Sequence, residues 1–226
     1  MVKHLEEDNV IDNRERKLSD VLNDVLPEIK SADIAVGYFY ISGLKLVIDT
    51  LEKCDKTRLL LSQTIDNETV ESLFEIYQDA EEARKKFQEL IDAKSKKERE
   101  KNVIEDQRIK AKKQLEGSKQ TESDQNTINR LKKLIQGGKL EVRVYLGERL
   151  HAKAYILKSR DNRWAHGIVG SSNFTYSGLA QNSELNLKTG ESSDINKLSD
   201  WFENLWKESK DFEKDWLEIV NACWTS

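Results

Sequence analysis

The sequence predicts an α/β protein with a mixed, largely parallel sheet flanked by helices. A strand, a helix and a second strand follow one another between residues 34 and 62, an order that is typical of a parallel crossover. Further segments rich in β-branched and aromatic residues, which favour strands, lie between 140 and 189. The residues after 190 carry apolar side chains at helical spacing. Strands and helices therefore alternate over most of the chain.

The N-terminal part supplies the first helix and the crossover. Apolar residues at helical spacing predict a helix over about 16–31, and the polar residues before it predict no regular element. The segment IAVGYFY, residues 34–40, predicts a buried strand. Ser42 is a candidate N-cap for the crossover helix, and TRLLLS, residues 57–62, predicts the second strand.

A charged segment, residues 66–137, interrupts this pattern. It contains no proline, and its apolar residues form an irregular helical stripe. We interpret it as a helical insertion within a single domain that covers residues 1–226. A solvated helical spacer is the favoured interpretation, and a dimerisation arm or a substrate clamp is the alternative. Without the insertion, about 150–160 residues are left, which is enough for one core.

Strand patterns return after the insertion and are followed by helical ones. The predicted strands cover residues 140–147, 151–158, 164–171 and 183–189. The tryptophans and other apolar residues beyond them recur at helical spacing. Aromatic side chains in such a pattern are more often part of the core than a binding surface.

The densest group of chemically versatile side chains lies in these strands. HAKAYILK begins at His151, and GIVGSSNFTYSGLAQNSELNL follows after a short gap. His151 and Lys153 are two residues apart, so on a strand they leave the same face. The candidate catalytic residues are His151, Lys153, Ser171, Asn173 and Glu184. An imidazole, an ammonium, a hydroxyl, an amide and a carboxylate can carry out phosphoryl transfer without a metal.

This block resembles the H-x-K…G-S-x-N…E signature of the phospholipase D (HKD) superfamily, in particular its single-motif nuclease branch. The resemblance extends to the flanking FTYSGL and NSELN, and it implies a mixed sheet flanked by helices. Similar domains occur at the N-termini of Snf2-like helicases and in restriction endonucleases. The resemblance therefore implies a nuclease module that belongs to, or works with, a helicase or restriction system.

One position departs from the family pattern. The motif carries an Asp five residues after its Lys, and here Lys158 stands at that place. The resemblance implies that this Asp is a supporting group, and tyrosyl-DNA phosphodiesterases resemble the family while lacking it. The change therefore weakens the expected activity without removing the nucleophile.

The roles implied by the resemblance form a metal-independent mechanism. His151 attacks phosphorus and Glu184 orients its ring, while Lys153 offsets the charge that develops on the phosphoryl oxygens. Asn173 and Ser171 add hydrogen bonds to those oxygens. The residues expected to contact the substrate are Gly170, Ser172, Arg149, Lys158 and Arg160. No metal and no cofactor is expected.

The chain carries the H-x-K motif once, because neither His4 nor His166 is followed by Lys two residues later. The resemblance implies that two such motifs meet across a pseudo-twofold axis. We therefore expect a homodimer in which His151 of each subunit lies at a shared groove. One imidazole is then the nucleophile, and the other is the acid and later the base.

Composition restricts the remaining function classes. The net charge of −4 does not indicate nucleic-acid binding, but basic residues outnumber acidic ones around the motif, and such a patch can meet a phosphate backbone. The cysteines and histidines have no zinc-ligand spacing. The sequence shows neither an apolar stretch that could span a membrane nor a signal peptide. A cytoplasmic protein without membrane contact is expected.

Three functions stay open at this point. A DNA endonuclease, with RNA as a second possible substrate, is favoured. The alternative is a catalytically impaired DNA-binding or assembly module, which Lys158 supports. A lipid phosphodiesterase ranks third, because the sequence shows no basic amphipathic helix of the kind that binds membranes.

Overall fold

The computed structural model describes residues 9–62, 96–117, 121–147 and 150–223. The strands are β1 (Val10–Asp12), β2 (Ile29–Val36), β3 (Lys56–Leu61), β4 (Leu140–Tyr145), β5 (Lys153–Ser159), β6 (Ala165–Gly170), β7 (Leu185–Thr189) and β8 (Ser209–Asp211). The helices are α1 (Leu18–Val25), α2 (Ile41–Leu44), α3 (Ile48–Leu51), α4 (Lys96–Gly117), α5 (Glu122–Gln136), α6 (Ser192–Lys207) and α7 (Glu213–Cys223).

The eight strands form one mixed sheet in the order β1-β7-β6-β5-β2-β3-β4-β8. The predicted α/β class, a mixed sheet flanked by helices, is confirmed. The expected predominance of parallel pairs is wrong, because only β2–β3 and β3–β4 are parallel and the other pairs are antiparallel. A short turn joins β5 to β6, and such a turn can join only antiparallel neighbours, whereas parallel strands need a long crossover.

The two faces of the sheet carry separate cores because side chains alternate along each strand. On β5, Tyr155 and Leu157 belong to the larger core cluster, together with residues of α1, α5 and α7. Ile156 points the other way and packs with Phe202 and Trp206 of α6. We call these the large face and the α6 face of the sheet.

The described part of the charged insertion belongs to the large core. Seven apolar side chains of α4 and α5 are buried in the larger cluster: Val103, Ala111, Leu115, Ile128, Leu131, Leu134 and Ile135. The preferred interpretation of a solvated spacer is therefore wrong for α4 and α5. Residues 66–95 of the predicted insertion lie outside the described residues, and a single domain with one insertion stays a prediction.

A capping box and two ion pairs fix α5 in place. Thr121 at the N-cap and Asp124 exchange side chain–backbone hydrogen bonds, which satisfies amides that the first helical turn leaves unpaired. Asp124 also accepts from Lys45 Nζ at 2.5 Å. Arg130 donates to both carboxylate oxygens of Glu52, at 2.8 and 2.7 Å. The helix is thus tied to the crossover that follows β2.

Several boundaries differ from the sequence-based prediction. The first helix ends at Val25, and a 3-10 turn containing Pro27 leads directly into β2. The crossover helix is split into α2 and α3, and Tyr40 rather than Ser42 occupies the N-cap position of α2. The short strand β1, which pairs with β7, was not predicted.

Candidate active site

Most of the predicted catalytic residues lie at one end of the sheet. β5 begins at Lys153, which pairs across the strands with Gly170, the last residue of β6. Gly170 pairs in turn with Asn186 near the start of β7. The carboxyl end of β2 is at the same end of the sheet, since Ala35 pairs with Ala154.

His151 and Lys153 form the first part of the site. β5 begins two residues later than predicted, so His151 lies exposed in the segment that leads into the strand. Lys153 Nζ donates to the His151 carbonyl oxygen at 2.8 Å. The preceding residue, Leu150, donates its backbone N–H to Ser62 Oγ at 3.1 Å, which ties this segment to the end of β3. The Lys153 ammonium is therefore held against the backbone of His151.

Ser171 and Glu184 form the second part. Ser171 Oγ donates to Glu184 Oε2, and it accepts from the backbone N–H of Leu185 at 3.1 Å. The other carboxylate oxygen accepts from Asn182 Nδ2 at 3.3 Å. Asn182 was not among the predicted site residues, although it belongs to the NSELN run. The structure thus brings the predicted hydroxyl and carboxylate into direct contact.

Asn173 joins the two halves of the chain at the site. Its Oδ1 accepts from the backbone N–H groups of Gly37 and Tyr38, both at 3.0 Å. Because Oδ1 is committed to these two donors, the amide has one orientation, and Nδ2 is the atom that can donate. A Cβ at Gly37 would lie 3.2 Å from Oδ1, so glycine permits this close contact.

A buried polar layer supports the loop from inside the protein. Ser172 is fully buried; its Oγ accepts from Asn186 Nδ2 at 2.9 Å, and its carbonyl oxygen accepts from Tyr155 Oη at 2.9 Å. Burial, and then the charge of Glu184, raises the pKa of Tyr155 well above its usual value, so its hydroxyl stays protonated and can donate. A direct contact of Ser172 with substrate was predicted, but its side chain instead contacts its protein neighbours.

Gly170 is needed for close packing between strands. A Cβ there would lie 2.4 Å from both Asn186 Oδ1 and the Leu185 carbonyl oxygen, closer than real Cβ atoms approach other atoms. This glycine was expected to let the backbone approach the substrate. In the structure its close neighbours are the first residues of β7.

Two of the remaining predicted contact residues, Lys158 and Arg160, are not at this end of the sheet. Lys158 is five residues along β5 from Lys153, about 16 Å at the rise of a strand. It lies on the α6 face, where hydrogen bonding from Arg58, and after it the charges of Arg58 and Lys158, lower the pKa of Glu203. Arg160 follows β5 and donates to Asp55 Oδ1 at 3.0 Å and to the Pro27 carbonyl oxygen at 2.7 Å. Arg149 lies outside the described residues.

Neither a metal cluster nor a membrane span is found in the part of the chain that the structure describes. No group of three or more His, Cys, Asp or Glu side chains there could hold a metal ion. Among the same residues, no helix combines the length and the apolar character needed to cross a membrane.

Residues 29–206 match the protein family described as "Cardiolipin synthase, PLD-like domain". The match covers most of the chain and includes every residue of the site described above. The chain therefore belongs to the phospholipase D-like family, as the motif block predicted, and a phosphodiesterase-type function follows from this membership. No curated protein matches the sequence.

Several solved structures are similar to this chain. They include Nuc, a phospholipase D family member from Salmonella typhimurium, with 11% identity, a TM-score of 0.48, and coverage of 89% of this chain and 95% of that chain. NucT from Helicobacter pylori has 14% identity, a TM-score of 0.44, and coverage of 90% and 97%. Phosphatidylserine synthase from Haemophilus influenzae Rd KW20 has 11% identity, a TM-score of 0.46, and coverage of 87% and 37%.

Proposed function

We propose that this chain is a metal-independent phosphodiesterase that cleaves DNA through a phosphohistidine intermediate. The observation that carries the proposal is the gathering of His151, Lys153, Asn173 and the Ser171–Glu184 pair at one end of the sheet. A strand register, a cross-strand glycine and hydrogen bonds from three separate segments hold these groups there. Polar residues scattered over a surface would not need a fixed register and hydrogen bonds of this kind to hold them at one place.

The chemistry divides into two steps. A ring nitrogen of His151 attacks phosphorus, the bond to the leaving oxygen breaks, and a general acid protonates that oxygen. Water then attacks the phosphohistidine, gives its proton to the same group acting as a base, and frees the imidazole. Lys153 and the Nδ2 donor of Asn173 stabilise the charge on the phosphoryl oxygens in both steps.

The second histidine comes from a second copy of the chain in this proposal. The sequence holds one H-x-K motif, so one subunit lacks a general acid of the kind that the mechanism needs. In a symmetric dimer, His151 of one subunit attacks while His151 of the partner subunit protonates the leaving oxygen.

An exposed apolar patch next to the site supports this dimer. Val10, Val169, Leu185 and Leu187 are between 40% and 60% exposed and occupy paired or alternate positions on three neighbouring strands of the α6 face. Leu198 and Ile195 of α6 lie over this face at Gly167, farther from the site. A contiguous apolar patch on a soluble protein is typical of an interaction surface.

The patch also continues directly into the site. The Leu185 carbonyl oxygen accepts from the Ser171 N–H, the Leu185 N–H donates to Ser171 Oγ, and Glu184 is the chain neighbour of Leu185. A second copy that covers the patch would therefore approach the Ser171–Glu184 pair. This continuity is why we propose a second copy, rather than an unrelated protein, as the occupant.

Nuclease activity in EDTA tests the proposal. We expect wild-type protein to cut DNA without divalent ions, and His151→Ala and Lys153→Ala to lose nearly all of this activity. Lys197→Ala, which removes an exposed lysine of α6, is the matched control and should cut as wild type does. Absence of product from wild type, or equal product from His151→Ala, would contradict the proposal.

One alternative function stays open because Lys158 stands in place of the motif Asp. In this alternative, the chain is a DNA-binding or assembly module without turnover. Salt-sensitive DNA binding without any product, unchanged in His151→Ala, would favour it. Association with a helicase or a restriction system stays a prediction from the motif. Release of a lipid headgroup would instead support the third-ranked lipid phosphodiesterase.

A further inference from the structure

Three tyrosines follow Asn173 or the backbone that it contacts, at the end of the sheet where the site lies, and neither the mechanism nor the core accounts for them. Tyr38 and Tyr40 follow β2, and Tyr176 comes three residues after Asn173. Tyr40 is 40% exposed and Tyr176 is 48% exposed. We call these three residues the tyrosine cluster.

The backbone that presents the cluster is held firmly. The Tyr38 N–H donates to Asn173 Oδ1, its carbonyl accepts from the Phe174 N–H at 3.1 Å, and the Tyr40 N–H donates to the Phe174 carbonyl at 2.9 Å. Between them, buried Phe39 packs on the Phe174 ring with centroids 5.4 Å apart. The side chains of residues 38 and 40 therefore point outward from a fixed segment, since neighbouring side chains alternate in extended backbone.

The rings are suited to stacking against a flat ligand. The Tyr38 and Tyr40 centroids are 6.3 Å apart with an interplanar angle of 69°, so the two rings do not cover each other face to face. Burial, and then the neighbouring Tyr38, raises the pKa of Tyr40, so its phenol is neutral near pH 7. A neutral aromatic ring adds no charge that would repel a phosphate backbone.

We propose that the tyrosine cluster stacks on the bases of single-stranded nucleic acid beside the scissile phosphate, so that the site prefers single strands to duplex. This inference rests on the proposed function, which places a phosphodiester at His151. Bases in a duplex are already stacked and paired, whereas an unpaired base offers its face to an aromatic side chain. Stacking of this kind tolerates any base, so no strong sequence preference is expected.

Binding to three fluorescent oligonucleotides tests the inference directly. His151→Ala protein in EDTA is titrated with a single strand, the matched duplex and a single strand of abasic units with the same number of phosphates, and anisotropy is measured. The single strand with bases should bind at least tenfold more tightly than the other two. Equal binding of the three would overturn the inference, because only the phosphates would then matter.

Variants of the cluster separate stacking from charge. In the His151→Ala background, Tyr40→Ala should weaken single-strand binding roughly tenfold. Tyr40→Phe should bind the single strand within about twofold of the affinity of the parent protein, because the ring is kept. The slope of log affinity against log salt should not change, since no cation is removed. Ile109→Ala is the control, because Ile109 is an exposed apolar residue of α4. A normal affinity in both Tyr40→Ala and Tyr38→Ala would overturn the inference.

Comparison with the cleavage assay shows which proposal fails. If wild type cuts DNA but Tyr40→Ala cuts and binds single strands normally, the stacking inference is wrong and the nuclease proposal stands. If wild type cuts nothing but tyrosine-dependent single-strand binding is found, the stacking inference stands and the nuclease proposal is wrong. Tyrosine-dependent binding to anionic phospholipid vesicles, with no preference for single strands, would overturn the stacking inference, while the cleavage assay alone decides the nuclease proposal.

Discussion

At the scale of single residues, Asn173 has two separable roles. Oδ1 holds the N–H groups of Gly37 and Tyr38, and Nδ2 is the proposed donor to the phosphoryl oxygens. A substitution that keeps the first role and removes the second can therefore distinguish positioning from catalysis.

Asn173→Asp should keep the fold and lose the activity. The carboxylate still accepts from both backbone amides but cannot donate, so we expect a fall in kcat/KM of about 10²–10³-fold, as for loss of one oxyanion donor. Asn173→Ala should in addition lower the free energy of unfolding by about 1–3 kcal/mol, because two amides lose their acceptor. Denaturant unfolding and cleavage rates measure the two effects; a fully active Asn173→Asp protein would contradict the assigned donor.

The motif predicted much of the site at this scale but not its supporting groups. The residue types and spacing of the HKD-like block are local in the sequence, so they could be recognised there. Tyr155 and Asn186 support Ser172 from other strands, and only the folded sheet shows which of its polar residues meet. Lys158 was expected at the site by motif position, but the length of β5 separates it from Lys153.

At the scale of elements, the charged segment shows where sequence patterns mislead. Charges on the exposed sides of α4 and α5 dominated the composition, and the buried stripe was too irregular to be recognised as core. The strands β1 and β8 are three residues each, and they exist because β7 and β4 offer free edges. Such elements depend on partners that are distant in sequence, so local pattern alone cannot predict them.

The attachment of α5 should weaken in acid. Hydrogen bonding from Arg130 lowers the pKa of Glu52, and hydrogen bonding from Lys45 lowers the pKa of Asp124. A carboxylate with a lowered pKa contributes stability above its ordinary pKa of about 4 and loses the contribution as the pH falls through the lowered value. We expect the Tm to fall less between pH 6 and 3 in a Glu52→Gln, Asp124→Asn double variant than in wild type.

Circular dichroism melts at several pH values provide the measurement. Asp200→Asn, an exposed position on α6, is the control and should keep the wild-type pH dependence. A double variant whose Tm falls as steeply as that of wild type would show that these ion pairs do not set the acid sensitivity of α5.

At the scale of the whole molecule, the apolar patch predicts the assembly. Leu187→Asp places a charge in the centre of the patch and should convert a dimer into monomers without unfolding the chain, because the side chain is already exposed. Cleavage should fall as the dimer is lost, since each subunit would then lack the partner's imidazole. Light scattering after gel filtration, together with the EDTA cleavage assay, measures both.

Ile109→Asp is the matched control, because it adds the same charge at an exposed apolar position of α4. It should stay dimeric and active. A Leu187→Asp protein that remains dimeric would show that the dimer interface is not this patch. A monomer that still cleaves DNA would show that a second histidine is not needed.

The Asn173 clamp joins positions 136 residues apart, whereas His151, Lys153 and Ser171 lie on or next to the single hairpin formed by β5 and β6. Under the proposed mechanism, the Asn173 donor is oriented only after the N-terminal strands have docked, because until then the amide has no backbone N–H groups to fix its orientation. The hairpin on its own would therefore carry the proposed nucleophile without its oriented amide donor.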